Sequence, residues 1–175
     1  RSDHPFGEYG RMAAAAEDAG FDVLSVFSDL WFQPALPALL EIAQATRRVR
    51  LGAACWNPYS SHPYELAGQM GALSLVSQGR AYFGLAKGTW LGDVSVPQPR
   101  PIAHLRECVA VVKLLLSGDR GGYDGTVFQL APGVGFRVPL PEKLPPVLIG
   151  TWGAQTMAMA ADIADEVKIG GSANP

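Results

Sequence analysis

The residues of this sequence that could do chemistry sit where apolar runs give way to glycine or proline. Val49-Arg50-Leu51-Gly52-Ala53-Ala54-Cys55 is small and apolar, and Trp56-Asn57-Pro58-Tyr59-Ser60-Ser61-His62-Pro63 follows it directly. A central strand needs the amide hydrogens that Pro58 and Pro63 lack, so strand must turn into loop around Ala54, Cys55 and Trp56. Three more runs end in the same way: 23–27 at Ser28-Asp29, 81–85 at Ala86-Lys87-Gly88-Thr89, and 147–149 at Gly150-Thr151-Trp152-Gly153. In parallel α/β proteins ligands gather at that end of the strands. Glycines between a strand and a helix let backbone amides converge, and a helix amino end favours an anion. The same residues also suit an ordinary tight connection. Lys87 is either a site cation or a solvated loop lysine. Trp56, Trp90 and Trp152, all at predicted strand exits, either wall a pocket for a flat small-molecule substrate or anchor loops.

Several function classes are excluded. His4, His62 and His104 have no serine or carboxylate at the spacing of a hydrolase triad. Cys55 and Cys108 have neither metal-ligand nor CxxC spacing, which predicts no metal and two reduced thiols in a cytoplasmic protein. A net charge of −2 without a basic block offers nothing to nucleic acid or to an acidic membrane face. The apolar runs are far too short to span a membrane, and the first residues lack the apolar stretch of a signal peptide. No GxGxxG follows the first strand, so a plain dinucleotide-binding domain has no support. With 48% apolar and 17% charged residues, residues 1–175 suffice for one globular domain with a core.

The elements that must position these residues alternate. An alanine-rich helix over 8–19 closes at Gly20. Leu36, Leu39, Leu40 and Ala43 mark a second helix face, and Leu66, Met70 and Leu73 a third. His62-Pro63 with Glu65 reads as the third helix's start, with His62 as its cap. Leu105, Cys108, Val109, Val112, Leu115 and Leu116 keep helical spacing over three turns until Gly118, with His104 on an exposed first turn. Residues 119–146 break the rhythm. They predict a small hairpin over 123–128 with Asp124-Gly125 at its turn, then five prolines, in an insertion lying over a sheet or barrel rim. Strands are predicted at 23–27, 49–55, 81–85, 147–149 and 167–169, with a helix around Met157 and Ala160 between the last two. Strict alternation implies parallel strands joined by right-handed crossovers, either an open doubly wound sheet or part of a barrel.

Several pieces together resemble the bacterial-luciferase-like superfamily, and within it the coenzyme F420-dependent branch similar to methylenetetrahydromethanopterin reductase. They are Ala19-Gly20-Phe21-Asp22, Ser28-Asp29, Val49-Arg50-Leu51-Gly52, Asn57-Pro58-Tyr59-Ser60-Ser61-His62-Pro63, Ser77-Gln78-Gly79-Arg80, Pro146-Val147-Leu148-Ile149-Gly150 and Ala164-Asp165-Glu166, in the family's order. The resemblance implies a (β/α)8 TIM barrel of which this chain covers strands 2 to 6, with strand 1 before Arg1 and strands 7 and 8 after Pro175. It also implies a homodimer.

The resemblance further implies a non-proline cis peptide at Ala54–Cys55, forming a bulge against which a tricyclic ring leans. Gly150, Thr151, Trp152 and Gly153, with Gly171 and Ser172 after the last strand, would hold the cofactor's phosphate. Asp29, Asn57, Lys87, Gly88 and Thr89 would meet the ring's polar edge or the anionic tail. The implied activity is an F420-dependent oxidoreductase acting on a CH–NH or CH–OH group. The alternatives are a monooxygenase using FMN and a noncatalytic flavin-binding relative. Many relatives have histidine where Leu30 stands and an acid where Thr89 stands. No catalytic residue is therefore assigned.

Overall fold

The computed structural model describes residues 3–169. Five helices alternate with parallel strands: α1 (Glu8–Asp18), β1 (Val23–Val26), α2 (Ala35–Ala45), β2 (Arg50–Ala53), α3 (Pro63–Val76), β3 (Phe83–Ala86) and α4 (Pro101–Ser117). A short antiparallel pair follows, β4 (Tyr123–Asp124) and β5 (Gln129–Leu130), then β6 (Val147–Gly150), α5 (Ala154–Ile163) and β7 (Glu166–Lys168). The helices form where the apolar spacing demands. α2 buries Ala35, Ala38, Leu39, Ile42 and Ala43 along one stripe. α3 starts on His62, whose Nδ1 accepts from the Tyr64 amide at 3.1 Å, with Pro63 in its first turn. α4 stops at Gly118, whose φ of +80° an L side chain rarely adopts. No helix of the described residues is long and apolar enough to cross a membrane.

β1 pairs with β2, and β3 with β6 and β6 with β7, all parallel. Bridges from Leu51 to Ala81 and from Trp56 to Leu85 join β2 to β3, giving one run in the order β1-β2-β3-β6-β7. Five residue steps on the β2 side of that junction face four on the β3 side, which is a one-residue bulge. It is why the predicted strand over 49–55 ends at Ala53. The junction is also very close. A Cβ on Gly84 would be driven into the Ala53 carbonyl, and one on Gly52 into the Tyr82 backbone and ring.

The sheet is strongly curled. β7 is the third neighbour of β2, about 14 Å away on a flat sheet at 4.8 Å per strand. Yet Arg50 Nη2 donates to Glu166 Oε1 at 2.5 Å. Beneath them the Tyr82 hydroxyl donates to the Gly52 carbonyl at 3.1 Å and lies 2.7 Å from Ser25 Oγ. The helices pack on the outer side around Leu39, Leu66, Met70, Phe83, Leu105 and Ile149, all fully buried.

Three charged side chains tie the framework together. Arg80 donates to the carbonyls of Ala43, Thr46, Val49 and Ser77 and to the Thr46 hydroxyl, satisfying the carboxyl ends of α2 and α3. Glu17 accepts from the amides of Arg47, Arg48 and Val49 at the entry to β2. Those bonds hold its carboxyl at about 2.

Glu107, buried on α4, accepts from the Thr126 hydroxyl and from the amides of Thr126, Val127 and Phe128. Burial pushes this carboxyl up, but the four hydrogen bonds outweigh it and hold the group at about 2. Here the hairpin expectation is corrected. β4 and β5 pair Tyr123 with Leu130 and Asp124 with Gln129, so the loop is 125–128 and its shape is set by Glu107. The 119–146 segment packs on α3 and α4, with Phe136 against Tyr64 at 4.8 Å and Phe128 edge-on to His62 and His104. His104, expected on an exposed turn, is stacked on Tyr59 at 4.6 Å.

Gly84→Ala is expected to cost on the order of 3 kcal/mol or more in denaturant unfolding, because backbone must move. Gly68→Ala, whose Cβ would meet only the Phe136 ring at 3.6 Å, is expected to gain up to about 1 kcal/mol as a helix-interior replacement. Glu107, lowered from 4.5 to about 2, contributes stability that is present above pH 4.5 and is lost as pH falls through 2. A series of melting temperatures across that window is expected to fall less steeply for Glu107→Gln, which also melts lower at neutral pH.

Candidate functional site

A cavity of about 600 Å³ opens at the carboxyl ends of the parallel strands, within the usual size for small-molecule sites. Each strand exit supplies part of its lining. From β1 come Phe27, Ser28, Asp29 and Leu30. β2 gives Ala54 and Cys55, joined by a cis peptide bond as the resemblance implies, and then Asn57, Ser60 and Ser61. Asn57 Oδ1 accepts from the Tyr59 and Ser60 amides at 3.0 and 2.9 Å, and this local turn ends the strand and aims the loop at α3.

β3 contributes Ala86, then Lys87, Gly88 and Thr89. Gln98 pins this loop by donating to the Lys87 and Gly88 carbonyls at 2.6 and 3.1 Å. Gly88 has φ +86°, and a Cβ there would press on Asn57 at 3.0 Å, so the β2 and β3 loops lie against each other. β6 contributes Gly150, Thr151 and Trp152, and β7 contributes Lys168. Thr151 Oγ1 accepts from the Gly153 amide at 3.0 Å, shaping the turn into α5.

Ten of the residues singled out in the sequence therefore share one cavity: Asp29, Ala54, Cys55, Asn57, Lys87, Gly88, Thr89, Gly150, Thr151 and Trp152. Gly153 is the N-cap of α5 and stands just outside the lining. Gly171 and Ser172 lie outside the described residues. The tryptophans divide. Trp152 stands at the rim, 76% exposed. Trp90 is outside the lining. Trp56 is 5% exposed, with its ring 6.0 Å from Phe83, so it belongs to the core and not to a pocket wall. The bridge to Leu85 extends the ladder past the bulge and turns Trp56 away from the cavity.

Lys168 is the one charged lining residue that sequence reasoning passed over. Its signal was present, a lone cation in an apolar run between Val167 and Ile169. Among the described residues Asp29 is the one carboxylate in the lining, Lys87 and Lys168 are its two cations, and no cluster has the makings of a metal site. One wall is built of small residues: Ala54, Cys55, Ala86 and Gly150. A Cβ on Gly150 would press on Cys55 Sγ at 2.8 Å. Burial pushes the Cys55 thiol up to about 11, against the pull of the Lys168 charge, so it is a neutral wall atom at physiological pH.

The luciferase-like monooxygenase family model matches residues 1–175. The chain belongs to that family. It is 29% identical over 173 residues to the 5,10-methylenetetrahydromethanopterin reductase of Archaeoglobus fulgidus, a match covering 97% of this chain and 51% of that protein. It is also 29% identical over 166 residues to the F420-dependent glucose-6-phosphate dehydrogenase of Microbacterium testaceum, covering 86% and 48%. Its fold matches that of the coenzyme F420-dependent tetrahydromethanopterin reductase of Methanopyrus kandleri with a TM-score of 0.86 at 22% identity, over 95% of this chain and 52% of that one. The chain thus spans about half the length of the curated relatives it matches.

The small-residue wall makes a direct prediction. Gly150→Ala is expected to destabilise the protein by about 1–3 kcal/mol through overpacking against Cys55. Cys55→Ala alone is expected to be milder. The double variant is expected to recover much of the loss, a coupling that a double-mutant cycle in denaturant reads directly.

Proposed function

We propose that this chain forms the cofactor-binding half of an F420-dependent oxidoreductase that moves a hydride between the deazaflavin and an organic substrate. Its five parallel strands are strands 2 to 6 of an eight-stranded luciferase-like barrel, with β1 and β7 as the two edges. The observation that carries the reading is the wall of Ala54, Cys55, Ala86 and Gly150 inside a cavity of about 600 Å³. Side chains this small leave a surface on which a flat ring can rest against backbone, so the residues present fit a tricyclic cofactor. Relatives at 29% identity are named for F420-dependent dehydrogenase and methylenetetrahydromethanopterin reductase activity, which favours the deazaflavin over FMN.

When bound, the deazaflavin supplies the centre that accepts or gives up the hydride. The chain's own residues hold, orient and shield it. Ala54 and Cys55 would support one face of the ring and leave the other open to substrate. Asp29, Asn57 and Lys87, all in the cavity lining, would offer hydrogen bonds to the ring's polar edge. Gly88 lets the β3 loop approach closely, with Thr89 beside it. Gly150, Thr151, Trp152 and Gly153 lead into the amino end of α5, whose first amides would favour the phosphate of the cofactor tail, and Gly171 and Ser172 are proposed to join them. Leu30 and Thr89 cannot act as acid or base, so no proton transfer is assigned to the two positions where many relatives have a histidine and an acid.

Spectral titration of the full-length protein with oxidised coenzyme F420 and with FMN tests the proposal. Saturable binding of the deazaflavin, with reduction of the bound form by a member of an alcohol and amine panel, is the expected outcome. Tight FMN binding with dioxygen-dependent turnover would replace it with the monooxygenase reading. Binding of F420 with no turnover of any acceptor or donor would leave a cofactor-binding relative.

A further inference from the structure

Lys168 occupies a place that its strand does not explain. It pairs in register with Gly150, and its side chain turns to the concave side of the sheet, where it lines the cavity. Its Nζ lies 5.0 Å from the centre of the Phe27 ring, beyond the end of β1. β1 and β7 are the two ends of the five-strand run, about 19 Å apart if the sheet were flat. Only the curl brings this ammonium across the cavity floor. Its register partner Gly150 belongs to the small-residue wall, so Lys168 stands beside that wall in the same lining.

Among the described residues the ammonium also has no ion-pair partner. Glu166 shares the inner face of β7 with Lys168, two residues away, and is the obvious partner. Its carboxylate is taken instead by Arg50 from β2. Asp29, the one carboxylate in the cavity lining, forms no ion pair with Lys168 either. Among the described residues Lys168 has no ion pair, and its contact is with the face of Phe27, which holds a cation without neutralising it. A half-buried cation left open at a cavity floor is suited to an anionic group of a ligand.

Given the deazaflavin reading above, on which this step rests, we propose that Lys168 is the counter-charge for the reduced cofactor ring. The charge balance is general. When an organic donor is oxidised, a C–H bond breaks, the hydride bonds to a ring carbon, and the donor's hydroxyl or amine proton leaves to solvent. The hydride carries two electrons and one proton, so the ring's net charge becomes more negative by one unit. A ring resting on Ala54 and Cys55 puts that charge beside the Lys168 ammonium. The protein then binds the reduced form more tightly than the oxidised form, and by linkage the bound ring becomes the better hydride acceptor. Lys87 sits in the outer loop, beside the opening, and is the competing candidate for this role.

The test compares dissociation constants of the full-length protein for oxidised and for reduced coenzyme F420, in the unaltered protein and in Lys168→Met, Lys168→Arg and Lys87→Met. Lys168→Met is expected to weaken the reduced form by about tenfold or more while leaving the oxidised form within about threefold, as removal of one close charge should. The midpoint potential of the bound cofactor is expected to fall in step, and Lys168→Arg to restore most of both. Retained binding of the oxidised form doubles as the control for folding. Equal weakening of both forms would assign the lysine to the phosphate tail, and a selective loss in Lys87→Met alone would move the charge to the loop. Either result overturns the proposal. If the unaltered protein binds neither form, the cofactor reading itself fails. If it binds both and Lys168→Met changes nothing, that reading stands and the role of Lys168 falls.

Discussion

The close passage of β2 against β3 is the constraint on which the rest of the structure depends. Gly52 and Gly84 face a neighbouring backbone at distances where no side chain fits, so the two strands cross almost in contact. Tyr82 fills the space beneath, its hydroxyl shared between Ser25 and the Gly52 carbonyl. Strands forced this near each other cannot continue in a flat ladder. The sheet curls, and the β2 side gains one residue before pairing resumes at Trp56. That extra residue lies in the stretch holding Ala54 and Cys55, which turns toward the cavity while Trp56 returns to the core. The same curl brings Arg50 to Glu166 and Lys168 to Phe27 across the concave side. The cavity floor and its wall of small residues are thus consequences of one tight crossing.

Much of this was legible in the sequence, for identifiable reasons. Helix faces follow from period alone, and the stripes on α2, α3 and α4 lie where Leu39, Met70 and Leu105 placed them. The strand exits were marked by Pro58, Gly88 and Gly150, since those residues stop a ladder or open a turn by their own backbone chemistry. What failed was whatever depends on a partner distant in the chain. The hairpin loop is 125–128 because Glu107, about twenty residues earlier, binds its amides. Trp56 stays open in the sequence between pocket wall and loop anchor because its burial is decided by a bridge to Leu85. His104 looked exposed because its cover, Tyr59, comes from another loop. Lys168 was visible as an odd residue in an apolar run, but its direction required the curl to be known.

Charge is distributed unevenly along the strands, and this separates what stabilises from what binds. At the amino ends the acids are engaged with backbone: Glu17 holds the entry to β2, and Asp165 accepts from the Val147 amide at 2.7 Å at the entry to β6. Arg80 and the Arg50–Glu166 pair use their charge in the same internal way. At the carboxyl ends the pattern reverses. The cavity lining there has two lysines against one aspartate, and none of the three forms an ion pair among the described residues. Charges at the first end satisfy groups that folding would otherwise leave without partners, so changing them should be felt in stability. Charges at the second end form no ion pair within the described chain, and Lys168 rests on the face of the Phe27 ring. They line the cavity instead, where the two lysines outnumber the one aspartate.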